Sequence, residues 1–172
     1  NALSRIKGKI ILDKIIWNND NKYIYKGYNE DINILIKKSD ICDLDVIYLD
    51  PPYNQHPYGS NYFMLNTIIK NEIIDNISKI SGIPDDWNRS KYNSNKDIKT
   101  TLIDLLDNCL LKSKYVILSY NDEGFIDKKG WDEILCKYKY KKYEILYDTY
   151  KASRNLAKRT NKVTELMYLL WM

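Results

Sequence analysis

The stretch Val46-Ile47-Tyr48-Leu49-Asp50-Pro51-Pro52-Tyr53 constrains this chain more than any other. A short apolar run bounded by Asp45 and a proline pair suits a central strand covered on both faces. That strand must stop at the prolines, because proline has no amide hydrogen for a ladder and Pro52 pushes Pro51 out of the helical region. Asp50-Pro51-Pro52-Tyr53 is therefore a rigid, extended loop leaving the C-terminal end of a strand, where open α/β sheets gather their ligand chemistry. A specified tetrapeptide arises by chance in roughly one chain in a thousand of this length. A proline turn with a capping aspartate is the weaker reading.

The surrounding pattern supplies a fold to hold that loop. Apolar residues at Leu3, Ile6, Ile10 and Ile15 predict a helix over 3–17, interrupted by Gly8. Residues 23–26 are β-prone, 27–31 form a polar turn and 32–37 an amphipathic helix. After the proline loop come a helix over 62–80, a surface loop over 82–95 and a helix with one apolar face at Ile98, Leu102, Leu105, Leu106, Cys109 and Leu110. Tyr115-Val116-Ile117-Leu118-Ser119 is the next strand, followed by a polar turn over 120–124 and a helix over 128–136. Two β-prone runs, 142–150 and 163–171, have no helix between them and can pair as an antiparallel hairpin. The expected fold class is α/β, a mainly parallel sheet with a C-terminal antiparallel hairpin.

Composition narrows the chemistry. With 44% hydrophobic and 29% charged residues, 172 residues bury one core of ordinary size, so residues 1–172 are read as one domain. No run approaches the ~18 apolar residues that cross a bilayer, and no charged-then-apolar leader opens the chain. A soluble, cytoplasmic protein with no membrane partner is expected. The chain opens on Asn1-Ala2 without a methionine and reads as a fragment of a longer protein. Cys42, Cys109 and Cys136 are widely spaced within apolar stretches, and His56 is the only histidine, so neither a metal site nor a Ser-His triad is expected.

The net charge of +4 is concentrated late. Between Lys137 and Lys162 nine basic residues face two acidic ones, Glu144 and Asp148. Such a cluster suits nucleic-acid phosphates, although a chain rich in Lys, Asn, Ile and Tyr throughout carries lysine clusters on solvated surfaces as well.

The tetrapeptide has a specific chemical use. An exocyclic amino group on a base is a poor nucleophile because its lone pair is delocalised into the ring. If the Asp50 carboxylate and the Pro51 carbonyl each accept one N6 hydrogen, the nitrogen is drawn towards tetrahedral geometry and its lone pair turns to a methyl donor. The prolines fix these acceptors in advance. Tyr53 would stack on the base once it is flipped out of the duplex.

At these residues the chain resembles the amino-methyltransferases of DNA, specifically the adenine-N6 group in which a glycine-rich cofactor motif precedes Asp-Pro-Pro-Tyr. The likeness covers nearly the whole chain. Tyr48 to Asn54, then Tyr58, Asn61-Tyr62 and Leu65-Asn66-Thr67-Ile68 look like one branch of bacterial adenine methylases. Leu118-Ser119-Tyr120-Asn121-Asp122-Glu123-Gly124 resembles that branch's later motif, and Tyr150-Lys151 with Thr164-Glu165-Leu166 its closing segment. The resemblance implies a Rossmann-like sheet, S-adenosylmethionine as cofactor, double-stranded DNA as partner and a place in restriction and modification. It implies catalytic roles for Asp50, Pro51, Pro52 and Tyr53. It implies that Asp31, with Ile32 beside it, holds the adenine ring of the methyl donor together with Asp50; an aspartate capping a helix is the equal alternative. Asn54, Ser119, Tyr120 and Asn121 are implied to line the base pocket, and Tyr150, Lys151, Arg154, Lys158 and Arg159 to face the base or the phosphates.

One departure stands against these matches. The glycines are Gly8, Gly27, Gly59, Gly82, Gly124 and Gly130, and no Gly-x-Gly occurs. Such glycines let a backbone approach the donor closely. The chain by itself is therefore expected to bind the donor weakly, with the glycine loop and first strand supplied by an N-terminal portion, or the exposed edge met by a second copy. Other readings are a noncatalytic DNA-binding or scaffold fragment, an RNA adenine methyltransferase, or a relative that methylates cytosine N4 or a glutamine side chain, although Asp50 is typical of the adenine DNA group.

Overall fold

The computed structural model describes residues 22–55, 57–72, 75–79, 82–148 and 162–172. The helix expected over 3–17 lies outside them. Residues 23–26 form no strand, and Tyr23, Ile24 and Tyr25 are exposed. Their β-propensity has no neighbouring strand among the described residues to pair with, and propensity without a ladder does not make a strand.

Helix α1 (Ile32–Leu35) begins at Asp31, whose side chain accepts from the amides of Asn33 and Ile34. Strand β1 (Leu44–Leu49) runs into the proline loop. Two short helices follow, α2 (Tyr58–Asn61) and α3 (Phe63–Lys70). Helix α3 stops well before residue 80 because Asn71 takes the left-handed conformation, φ 53°, that asparagine tolerates better than most residues. Helix α4 (Ile98–Lys112) leads to β2 (Ser113–Asn121), and α5 (Lys128–Leu135) is capped by Asp127, which accepts from the Gly130 amide at 2.8 Å. Strands β3 (Lys139–Asp148) and β4 (Lys162–Trp171) complete the described fold.

The sheet order is β1-β2-β4-β3. β1 and β2 are parallel, joined through α4, whereas β4 pairs antiparallel with both β2 and β3. The hairpin of the last two strands is present. The described sheet is nevertheless mostly antiparallel rather than mainly parallel. β4 inserts between β2 and β3 instead of adding β3 alongside β2, so one hairpin strand contributes two antiparallel ladders.

One face of this sheet carries the core. Alternation sends Val116, Leu118 and Tyr120 of β2 and Leu166, Tyr168 and Leu170 of β4 to the same side, where all six are buried. The stripe Ile98, Leu102, Leu105, Leu106, Cys109 and Leu110 of α4 is buried as its spacing predicts, and Trp131 of α5 packs on the rings of Tyr120 and Tyr168. The opposite face is barer: Val46 and Tyr48 of β1, Tyr115 of β2 and Tyr143 and Ile145 of β3 are exposed. The outer edge of β1 has no strand beside it among the described residues.

Candidate active site

The ladder register fixes where the proline loop emerges. Leu49 lies opposite Leu118, so Asp50 leaves β1 level with Ser119 of β2. Asp50 is exposed while Pro51 is buried, which anchors the loop and leaves the carboxylate in the open. The far end is clamped from the next crossover. The Tyr53 carbonyl accepts from the Phe125 amide at 3.0 Å and from the Tyr120 hydroxyl at 3.3 Å, and the Asn54 carbonyl accepts from the Asn93 side chain at 2.7 Å. The Tyr53 ring meets the Tyr120 ring edge-on, centroids 6.0 Å apart. Gly124 is required for this arrangement, since a Cβ there would lie 2.3 Å from the Tyr120 ring. Burial pushes the Tyr120 phenol up to about 12, so it stays a proton donor to the loop.

Asp50, Pro51 and Pro52 stand between two concavities. The first, about 540 Å³, joins them to Asp31, Ile32, Asn88, Arg89 and Tyr92. This volume lies within the range of small-molecule sites. Asp31 thus lies in one cavity with Asp50 although 19 positions separate them, and it also caps α1. Both cap bonds end on Oδ1, at 2.9 and 3.2 Å, so capping does not use the second carboxylate oxygen. The neighbouring wall is braced by Asn33, which accepts from the Tyr92 hydroxyl at 2.7 Å and donates to Asp104 at 2.8 Å. Burial raises the Tyr92 phenol well above its ordinary value, keeping that donor protonated. Arg89 stacks on Trp87, 4.1 Å from its ring centre, and is the cation of this cavity's lining.

The second concavity, about 360 Å³, is lined by the whole tetrapeptide with Asn54, Tyr58, Asn61 and Tyr62. Beside it a polar cluster crosses the sheet ends. Ser119 donates to Glu165 at 2.6 Å, Tyr147 donates to the other Glu165 oxygen at 3.4 Å, and the Asn121 side chain accepts from the Glu123 amide at 3.0 Å. Partial burial raises the Tyr53 phenol, with a hydrogen bond to Asn121 opposing and the Glu165 charge adding to the rise.

The structure therefore brings Asp31, Ile32, Asp50, Pro51, Pro52, Tyr53 and Asn54 to one loop and its two concavities, with Ser119 and Asn121 adjoining. Tyr120 differs from its neighbours. It points to the opposite sheet face, where it is buried, and supports the loop from behind instead of lining a pocket. Tyr150, Lys151, Arg154, Lys158 and Arg159 lie outside the described residues. Of the late basic cluster, Lys137, Lys142 and Lys162 are engaged in exposed ion pairs with Asp107, Glu144 and Asp148. Sequence reasoning singled out neither Glu165 nor Arg89 as a site residue. Glu165 had a signal, a lone carboxylate inside the apolar run from Val163 to Trp171. Arg89 lies in the 82–95 loop, whose composition marks a surface segment without saying which of its residues reaches the cavity. Among the described residues no cluster of His, Cys, Asp and Glu is suited to a metal, and no helix is long and apolar enough to cross a membrane.

A parallel β1-α4-β2 unit with a strand-end acidic proline loop between two concavities belongs to the α/β proteins that work at the ends of their strands. The family model of D12 class N6 adenine-specific DNA methyltransferases matches residues 5–154, and the chain belongs to that family. No curated protein and no solved structure matches the chain.

Proposed function

We propose that this chain carries the base-facing half of a catalytic site that methylates adenine N6 in duplex DNA with S-adenosylmethionine, as part of restriction and modification. The observation that carries this reading is Asp50-Pro51-Pro52 standing as a shared wall between the cavity of Asp31 and the concavity of Tyr53. A donor on one side and a base on the other would meet at that wall. The Asp50 carboxylate and the Pro51 carbonyl accept the N6 hydrogens, which frees the nitrogen lone pair, and Tyr53 stacks on the flipped ring. Ser119, Asn121 and Glu165 form a polar cluster beside Tyr53, outside the lining of that concavity. When bound, the donor supplies an electrophilic methyl group.

The residues present fit the purine end of such a donor. Asp31 keeps an oxygen that the cap does not use, and Ile32 lies beside it in the same cavity. They supply no Gly-x-Gly cradle for the methionine end. We therefore expect weak donor binding by this chain alone, with the cradle provided by a segment that continues the sheet at the edge of β1, which has no strand beside it among the described residues. That absence also favours a second reading, a DNA-binding or scaffold unit without catalysis. Asp50→Ala separates the two. In protein supplemented with the glycine-loop segment, methyl transfer should fall by at least about a hundredfold, the scale of losing a transition-state contact, while duplex binding changes little. Unchanged methylation would remove Asp50 from the chemistry, and no methylation by the wild type would favour the scaffold.

A further inference from the structure

The concavity below Asp50 is edged by two aromatic side chains to which the proposed reaction assigns no role. Tyr58, the first residue of α2, and Tyr62, the residue that caps its C-terminal end, stack on each other with ring centroids 5.3 Å apart and planes 16° from parallel. Both are open to solvent, with 66% of Tyr58 and 48% of Tyr62 exposed. Both line the concavity that contains Asp50 and Tyr53. The fold gains little packing from rings displayed in this way, but a ligand could gain a great deal.

We propose that the Tyr58 and Tyr62 pair is a stacking platform for an unpaired nucleobase of the substrate strand, a second base beside the adenine presented to Asp50. The inference rests on the DNA-methylating reading of the site above. The target ring already has Tyr53, which is braced edge-on by Tyr120. A third ring cannot enter between Tyr58 and Tyr62 as they stand, because two aromatic gaps of about 3.5 Å each would need planes about 7 Å apart. A base therefore docks on an outer face of the pair. Flipping one nucleotide unstacks its neighbours, and an aromatic face at the mouth of the pocket offsets part of that loss. Every base has such a face, so the platform adds affinity and leaves sequence choice to other contacts.

The test is fluorescence anisotropy of the 172-residue chain with a single-stranded oligonucleotide and with a strand of the same length whose sugars carry no bases. Replacing both tyrosines by alanine should weaken binding to the base-bearing strand roughly five- to a hundredfold and leave the abasic strand unaffected. The double Tyr→Phe variant, which keeps both faces, should bind as the wild type does. Wild-type affinity in the alanine variant, or an equal loss on both strands, would overturn the platform while leaving Asp50 and its reading intact. A wild-type chain that binds neither single strand would overturn the platform, whereas only a chain that also fails to bind duplex DNA of the same sequence would remove the DNA reading itself.

Discussion

The geometry of the proposed catalytic loop depends on single groups held from behind. The Tyr53 carbonyl has two donors, one the Phe125 backbone amide, which any substitution other than proline leaves in place, and the other the Tyr120 hydroxyl. Tyr120→Phe keeps the packed ring and deletes that second bond. We expect a stability loss of about 1 kcal/mol in urea unfolding and a several-fold fall in kcat with little change in KM for DNA; a loss in KM alone would show that the hydroxyl does not position the loop. At this scale the sequence was legible where backbone chemistry is forced. Pro51 and Pro52 end a strand wherever they stand, and Asp31 before an amphipathic run is a cap. It was less legible where a face had to be chosen. Ser119, Tyr120 and Asn121 are consecutive, so alternation must send Tyr120 away from the other two, and only the partner strands decide which side is core.

Elements were recognised where one periodicity covered a whole length. The apolar stripe of α4 is buried residue for residue as its spacing of three and four requires, β1 and β2 contain continuous apolar runs, and β4 has one interrupted only by Thr164 and Glu165. Leu106→Ala, a truncation at a fully buried position of that stripe, should cost about 2–5 kcal/mol in the same unfolding experiment. A cost below 1 kcal/mol would mean that α4 is not packed on β2 as described. The errors arose where a neighbour decides. Residues 23–26 have strand-forming side chains but no ladder, α3 ends at one left-handed asparagine, and the parallel expectation failed because β4 takes the central place beside β2. The order of strands is set by which faces must be covered, and local pattern does not record it.

Among the described residues the sheet has one well-covered face and one bare face, with the candidate site at the C-terminal end of the parallel pair. The covered face predicts a pH response. Burial pushes the Cys109 thiol from 9.0 up to about 12 and the Tyr120 phenol from 10.0 up to about 12. In both groups the folded state holds a proton that the unfolded state releases, so between pH 9 and 12 the unfolded chain binds fewer protons and stability falls as pH rises. The urea midpoint should be lower at pH 10.5 than at pH 8, and an unchanged midpoint would contradict the burial of these groups. The bare face, and the edge of β1 that has no strand beside it among the described residues, agree with a sheet that continues in another segment, the one proposed to carry the glycine cradle. This half of the site is proposed to direct a methyl group to adenine N6 in DNA, and the chemistry can be read from the product. It is tested most directly by incubating the chain, the glycine-loop segment and labelled S-adenosylmethionine with duplex DNA or RNA, then digesting the products to nucleosides for mass spectrometry. Label should appear in N6-methyldeoxyadenosine from duplex DNA; label confined to N4-methyldeoxycytidine, to RNA or to the protein itself would rule out methylation of DNA adenine.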